Sequence, residues 1–135
     1  MQRQVGGGTI STVIELPVLQ APTAASEPTA RFLRLMADPT RQRIFLQLMR
    51  GEICNCEIVS LLGLPQNLIS HHLRQLREAG LLEARRDASD QRWIYYSINR
   101  AALAGIHTEL ATVFDPATIG DRQPLCPPGS AVDCC

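Results

Sequence analysis

The chain has 135 residues with 13 basic and 13 acidic side chains, so its formal net charge is zero. That length supports one domain with a core of its own, and the even balance excludes excess positive charge as the route to nucleic acid; a DNA-binding surface must come from segregated charge. Five cysteines, no signal-peptide cleavage pattern and no apolar run long enough to span a bilayer point to a cytoplasmic protein without a membrane partner, whose thiols serve metal binding or redox chemistry before structural disulfides.

Residues 1–28 contain Gly6-Gly7-Gly8, Pro17, Pro22 and Pro28 and read as a flexible N-terminal arm. Thr9 to Leu16 has the look of an edge strand, but nothing beside it resembles a partner. Pro28 to Ala37 predicts a short helix with Phe32, Leu33, Leu35 and Met36 apolar. Asp38-Pro39 is an N-cap followed by proline at the first helical position, which starts a second helix running to about Met49. Ile44, Phe45, Leu48 and Met49 give that helix its buried face, and Gly51 closes it.

Cys54 to Gly80 predicts two short helices joined by a tight turn, with a pair of cysteines at the entrance to the first. Ile58, Leu61 and Leu62 supply the apolar stripe of the first helix, and Gly63 stops it. The second starts near Pro65, and Ile69, Leu73 and Leu76 share one face at spacings of four and three. Opposite that stripe lie Gln66, Asn67, Ser70, His71 and Arg74, side chains suited to base edges and phosphates. A surface helix that is polar only because it meets water has the same pattern; the extended segments after Gly80 favour the DNA-binding reading.

After Gly80 the pattern turns to alternation. Leu82 to Arg86 and Arg92 to Ile98 read as two strands of a hairpin around the polar tip Asp87-Ala88-Ser89-Asp90-Gln91. A helix-turn-helix joined to such a hairpin is a winged helix, mainly α with a β-hairpin wing, in which Arg85, Arg86 and Arg92 lie against phosphates or reach a minor groove. Trp93, Tyr95 and Tyr96 read as hairpin packing. Asn99 to Phe114 is a last helix, capped by Asn99, whose apolar residues Ala101, Ala102, Leu103, Ile106, Leu110, Val113 and Phe114 cover more than one narrow stripe. Together with the first helix it offers a two-fold dimer interface. The expected division is an arm (1–28), a winged helix-turn-helix domain for DNA binding and dimerisation (29–114) and an irregular tail (115–135) holding three of the cysteines.

The stretches ADPTRQRIFLQL, GEICNCEIVSLLGLPQNLISHHLRQLREAGLL and RWIYYSI resemble the ArsR/SmtB family of metal-responsive winged-helix repressors over roughly Ala30 to Phe114. The resemblance implies a homodimer that binds double-stranded operator DNA in its own promoter region, blocks transcription, and is released when an ion binds. EICNCEI is similar to the ELCVCDL box that carries thiolate ligands for arsenite and antimonite, or for cadmium and lead, in some members; Cys54 and Cys56 match its two cysteines. The chain also departs from the family's patterns. Val59 stands where arsenite sensors of the enteric type have a third cysteine, the arm lacks the cysteines of cadmium/lead sensors, and the last helix offers only His107 and Glu109 against the paired ligands of zinc sensors.

A C-x-C pair is short of a complete site. On a regular helix, residues i and i+2 are ~200° apart and cannot both face one ion, so they converge only where a helix begins or is distorted. A helix N-terminus also favours the thiolate that binds soft ions. A third sulfur must come from Cys126, Cys134 or Cys135, with Cys126 placed best beside Pro127-Pro128 and Cys134-Cys135 able to clamp a trivalent arsenical alone. The expected function is a repressor released by As(III) or Sb(III) on Cys54, Cys56 and Cys126, with no other cofactor required. Alternatives are a Cd(II)/Pb(II) sensor using four thiolates, and a redox switch in which Cys54 or Cys56 forms a disulfide with the tail. Nothing supports catalysis, since no base lies near the thiols in sequence.

Overall fold

The computed structural model describes residues 24–121; the arm before residue 24 and the cysteines Cys126, Cys134 and Cys135 lie outside the described residues. Helix α1 spans Glu27–Met36 and α2 Pro39–Leu48, followed by a short strand β1 at Ile53–Cys54. Then come α3 (Asn55–Leu62), α4 (Gln66–Glu78), the hairpin strands β2 (Leu82–Arg86) and β3 (Ile94–Ile98), α5 (Arg100–Val113) and a 3-10 turn at Pro116–Thr118. This is the expected winged helix-turn-helix.

The helix boundaries arise from local chemistry. The Asp38 carboxylate accepts a hydrogen bond from the Arg41 amide at 2.7 Å, and Pro39 occupies the first turn of α2. Asn99 caps α5 in the same way through the Ala102 amide. Helix α4 ends where Gly80 adopts φ 74°, a left-handed conformation that favours glycine. The Leu81 amide then reaches back to the Leu76 carbonyl at 3.1 Å and Gly80 to Arg77 at 2.9 Å, a Schellman closure that buries Leu81 against Leu76.

The core gathers Ile44, Phe45 and Leu48 of α2, Ile58 of α3, Ile69, Leu73 and Leu76 of α4, Leu81, Leu82, and Ile106 of α5. Phe32 meets Phe45 edge to face, with ring centroids 5.7 Å apart. Two expected core positions are corrected. Met49 is 55% exposed, because it lies on the rim of an open apolar groove between α1, α2 and α5. Leu61 is 58% exposed, so α3 buries Ile58 and, in part, Val59 and Leu62.

The wing is a three-stranded antiparallel sheet in the order β1-β3-β2, where the sequence predicts two strands. The added strand pairs Ile53 with Tyr96 and Cys54 with Tyr95. Two residues carry no readable alternation, which is why β1 escapes sequence reading. At the other end, β3 starts at Ile94 rather than Arg92; Arg92 and Trp93 belong to the turn, where the Trp93 amide donates to the Asp90 carbonyl at 3.0 Å.

Helix α1 is held to α5 by a contact that the sequence did not advertise. The Glu109 carboxylate accepts from the Ser26 amide, from the Ser26 hydroxyl at 2.5 Å and from the Thr29 hydroxyl. These bonds, the Ser26 hydroxyl first, hold the Glu109 carboxyl below the usual carboxylate range. A carboxylate placed at the start of α1 also meets that helix's unpaired amides.

Candidate DNA interface and ion site

Cys54 and Cys56 come together because α3 begins between them. Cys54 is the N-cap, with extended backbone at φ -86° and ψ 159°, and Cys56 sits in the first helical turn. Their Cα atoms are 5.5 Å apart and the two side chains meet in a disulfide. The helix is intact around them: the Glu57 amide donates to the Cys54 sulfur at 3.4 Å, and the Cys54 amide donates to the Glu57 carboxylate at 2.9 Å. This reciprocal pair is a capping box with sulfur in the place usually taken by a hydroxyl. Cys54 is 3% exposed, pinned by its strand pairing, whereas Cys56 faces solvent.

An open cleft of about 300 Å³ lies in front of the pair, lined among others by Gln66, Trp93 and Tyr96. It brings the thiol pair beside the start of α4 and the base of the wing. Among the described residues no three metal-ligating side chains cluster, so Cys54 and Cys56 do not complete a site there.

On α4, Gln66, Asn67, His71 and Arg74 are exposed, while Ser70 is half-buried. The Ser70 hydroxyl accepts a hydrogen bond from Asn55 Nδ2 at 2.9 Å, which ties the residue between the two cysteines to the middle of α4. Sequence reading missed Asn55; its only signal was its place between two candidate ligands. None of the ion pairs among the described residues involves Arg74.

The wing arginines are engaged. Arg85 holds Glu52 through both carboxylate oxygens, with its Nε 2.9 and 3.0 Å from them, and its guanidinium lies 4.7 Å from the Tyr95 ring centroid. The pairing lowers the Glu52 pKa and raises that of Arg85. Arg86 donates to the Gln91 carbonyl at 2.7 Å, and Arg92 to the Asp90 carboxylate at 2.8 to 3.2 Å. Phosphate contacts from these three side chains would therefore replace existing partners, which surface-exposed pairs permit at small cost.

On the inner face of α4, His72 is 6% exposed and its Nδ1 has no hydrogen-bond partner. Burial pushes its pKa below the ordinary imidazole value of 6.5; Asp38 pulls the other way, and Arg41 and His71 reinforce the drop. A buried neutral imidazole whose unfolded counterpart takes up a proton near pH ~6.5 makes stability rise with pH through that region. The melting temperature is expected to fall as pH drops from ~7.5 to ~5.5 and to fall less in His72→Gln. Identical slopes for both proteins in thermal melts would exclude this source.

The comparisons with known proteins agree with this arrangement. Residues 38–84, from the cap of α2 into β2, match the family described as "Bacterial regulatory protein, arsR family". The chain is 41% identical over 83 residues to the arsenic resistance transcriptional regulator ArsR1 of Pseudomonas putida, covering 61% of this chain and 62% of that protein. The chain thus spans less than two thirds of that relative's length. It is 34% identical over 101 residues to the nodulation protein NolR of Rhizobium meliloti, covering 74% of this chain and 80% of NolR. The crystal structure of NolR from Sinorhizobium fredii superimposes with a TM-score of 0.51 at 34% identity, over 65% of this chain and 85% of that one. The chain belongs to the arsR family of bacterial regulatory proteins, and its fold is the winged helix-turn-helix.

Proposed function

We propose that this regulator is a homodimeric, cytoplasmic transcriptional repressor that binds operator DNA through α4 and the wing and is released when trivalent arsenic or antimony binds Cys54 and Cys56 in their reduced form. The observation that carries the reading is the meeting of the two sulfurs at the first turn of α3, the helix packed directly against α4. Soft trivalent ions prefer thiolates. To bind one, the disulfide is first reduced by a thiol reductant to two thiols, which then part to admit an atom between their sulfurs, and this disturbs the cap of α3. Cys126 is the favoured third thiolate, with Cys134 and Cys135 as substitutes. The arsenic resistance role in the name of the Pseudomonas putida relative supports the choice of inducer. Cadmium or lead, held by four thiolates, is the competing metal reading.

Dimerisation is assigned to the face built by α1 and α5. Leu33 and Phe114 are 42% and 65% exposed there, and the neighbouring groove is lined by Phe32, Met36, Leu46, Leu103 and Ala104. An apolar surface of this kind calls for a partner.

The test is a duplex-binding titration of the reduced protein with and without arsenite; binding that persists at saturating arsenite sinks the proposal. A second reading, thiol/disulfide switching, draws support from the same pair, because Cys54 and Cys56 are joined as a disulfide. Release by peroxide, reversal by a thiol reductant and indifference to arsenite would select it.

Within α4, Arg74→Ala is expected to weaken binding to all sequences and to reduce the salt slope by ~1, as loss of one phosphate contact does. Gln66→Ala is expected to relax base preference, with ~1–3 kcal/mol less discrimination at one position. Binding titrations at several salt concentrations on a panel of duplexes separate the two; the reverse pattern would place α4 differently in the groove.

A further inference from the structure

We infer that Asn55 is the positioning residue that carries ion binding at Cys54 and Cys56 to α4, through its hydrogen bond to Ser70. The inference rests on the proposed ion-released reading and names the side chain that transmits it. Asn55 is the first residue of α3 and lies between the two cysteines, so a change of backbone at either neighbour turns its side chain. Its amide nitrogen donates to Ser70 Oγ at 2.9 Å. Among the described residues this is the one side-chain hydrogen bond that joins α3 to α4. The Asn55 side-chain oxygen Oδ1 is buried and has no hydrogen-bond partner, so the bond to Ser70 is the one side-chain hydrogen bond the amide makes.

Ser70 is well placed to receive the signal. Gln66, Ser70 and Arg74 recur at intervals of four and form one row along α4. The side chain in the middle of that row is anchored to the thiol pair's own connecting residue. Parting the two reduced sulfurs to admit an ion rotates the residue between them and breaks the anchor. Helix α4 then loses the restraint that holds its row in register.

The coupling that one hydrogen bond supplies is bounded by its net worth, about fivefold in an equilibrium constant. Without the bond, the ion-free protein already resembles the ion-loaded one in this respect. The fold-release by arsenite is therefore smaller, and ion binding meets one fewer restraint.

The experiment uses the full reduced chain and a duplex selected from random DNA by the wild-type protein. Duplex affinity is measured with and without sodium arsenite, and arsenite affinity is read from the sulfur-to-arsenic absorption. Asn55→Ala is expected to shrink the release factor about fivefold while arsenite affinity holds or tightens. Ser70→Ala is expected to shrink the factor equally, and the double variant to shrink it no further. A lost base contact at Ser70 would instead weaken binding in both states and leave the factor unaltered.

An unchanged release factor in Asn55→Ala overturns the inference. So does loss of arsenite affinity in that variant, which would make Asn55 a support of the thiols only, and so does an additive double variant. If the wild-type protein itself is not released by arsenite, the ion-sensing reading falls and the relay falls with it. Release of wild type and Asn55→Ala alike removes the relay alone.

Discussion

Cys54→Ser is expected to remain on its operator at arsenite concentrations that release the wild-type protein. Serine is a better N-cap than cysteine, so the hydroxyl takes over the bond to the Glu57 amide and α3 keeps its start. What the substitution removes is a thiolate, and an oxygen does not replace sulfur toward a soft trivalent ion. Ligand-driven couplings typically change affinity about 5- to 150-fold. Saturating arsenite should weaken the wild-type complex within that range and change the affinity of Cys54→Ser or Cys56→Ser hardly at all. Equal release of wild type and both variants, measured by fluorescence anisotropy on one labelled duplex, would remove these cysteines from the ion site.

Leu73→Ala is expected to cost about 2–5 kcal/mol of folding stability, the range for a leucine deleted from a packed core. Leu73 is 0% exposed and, with Ile69 and Leu76, seats α4 against α2 and the base of the wing. Against a total of roughly 5–15 kcal/mol for a domain, such a loss is a large fraction. Leu61→Ala, one turn away from Ile58 on α3 but 58% exposed, should change stability by no more than about 0.5 kcal/mol. Urea unfolding midpoints of the two variants test the placement directly. A comparable loss for both would mean that α3 buries the wider stripe its sequence suggests.

That comparison shows where sequence pattern stops being informative. The period that places Ile69, Leu73 and Leu76 on one face is set by helix geometry, and all three are fully buried. The same period puts Leu61 and Met49 on apparent inner faces, yet burial depends on whether another element covers that face. For Met49 no covering element lies among the described residues, and a groove opens instead. The caps at Asp38 and Asn99 and the stop at Gly80 were readable, because each depends on residues adjacent in the chain. Strand β1 was not. Two residues have no period, and they form a strand only because β3 passes beside them.

The candidate site divides the same way. The C-x-C spacing and the polar row of α4 could be read directly, and so could the rule that such cysteines converge only at a helix start. Which partners the wing arginines hold could not. Arg85 finds Glu52 across the sheet, 33 positions away, and no local pattern connects them. Asn55 and Ser70 are likewise 15 positions apart, and their hydrogen bond exists only because α3 and α4 pack together.

By itself the chain determined its winged helix-turn-helix, the ends of its helices and the two thiols at the entrance to α3, since each of these depends on side chains within a few positions of one another. Only the folded molecule decided that Cys54 is buried against the wing while Cys56 faces water, that Glu109 fastens α1 to α5, and that Asn55 reaches α4. Those outcomes depend on which surfaces meet when distant segments pack, and no short-range preference of the backbone encodes that.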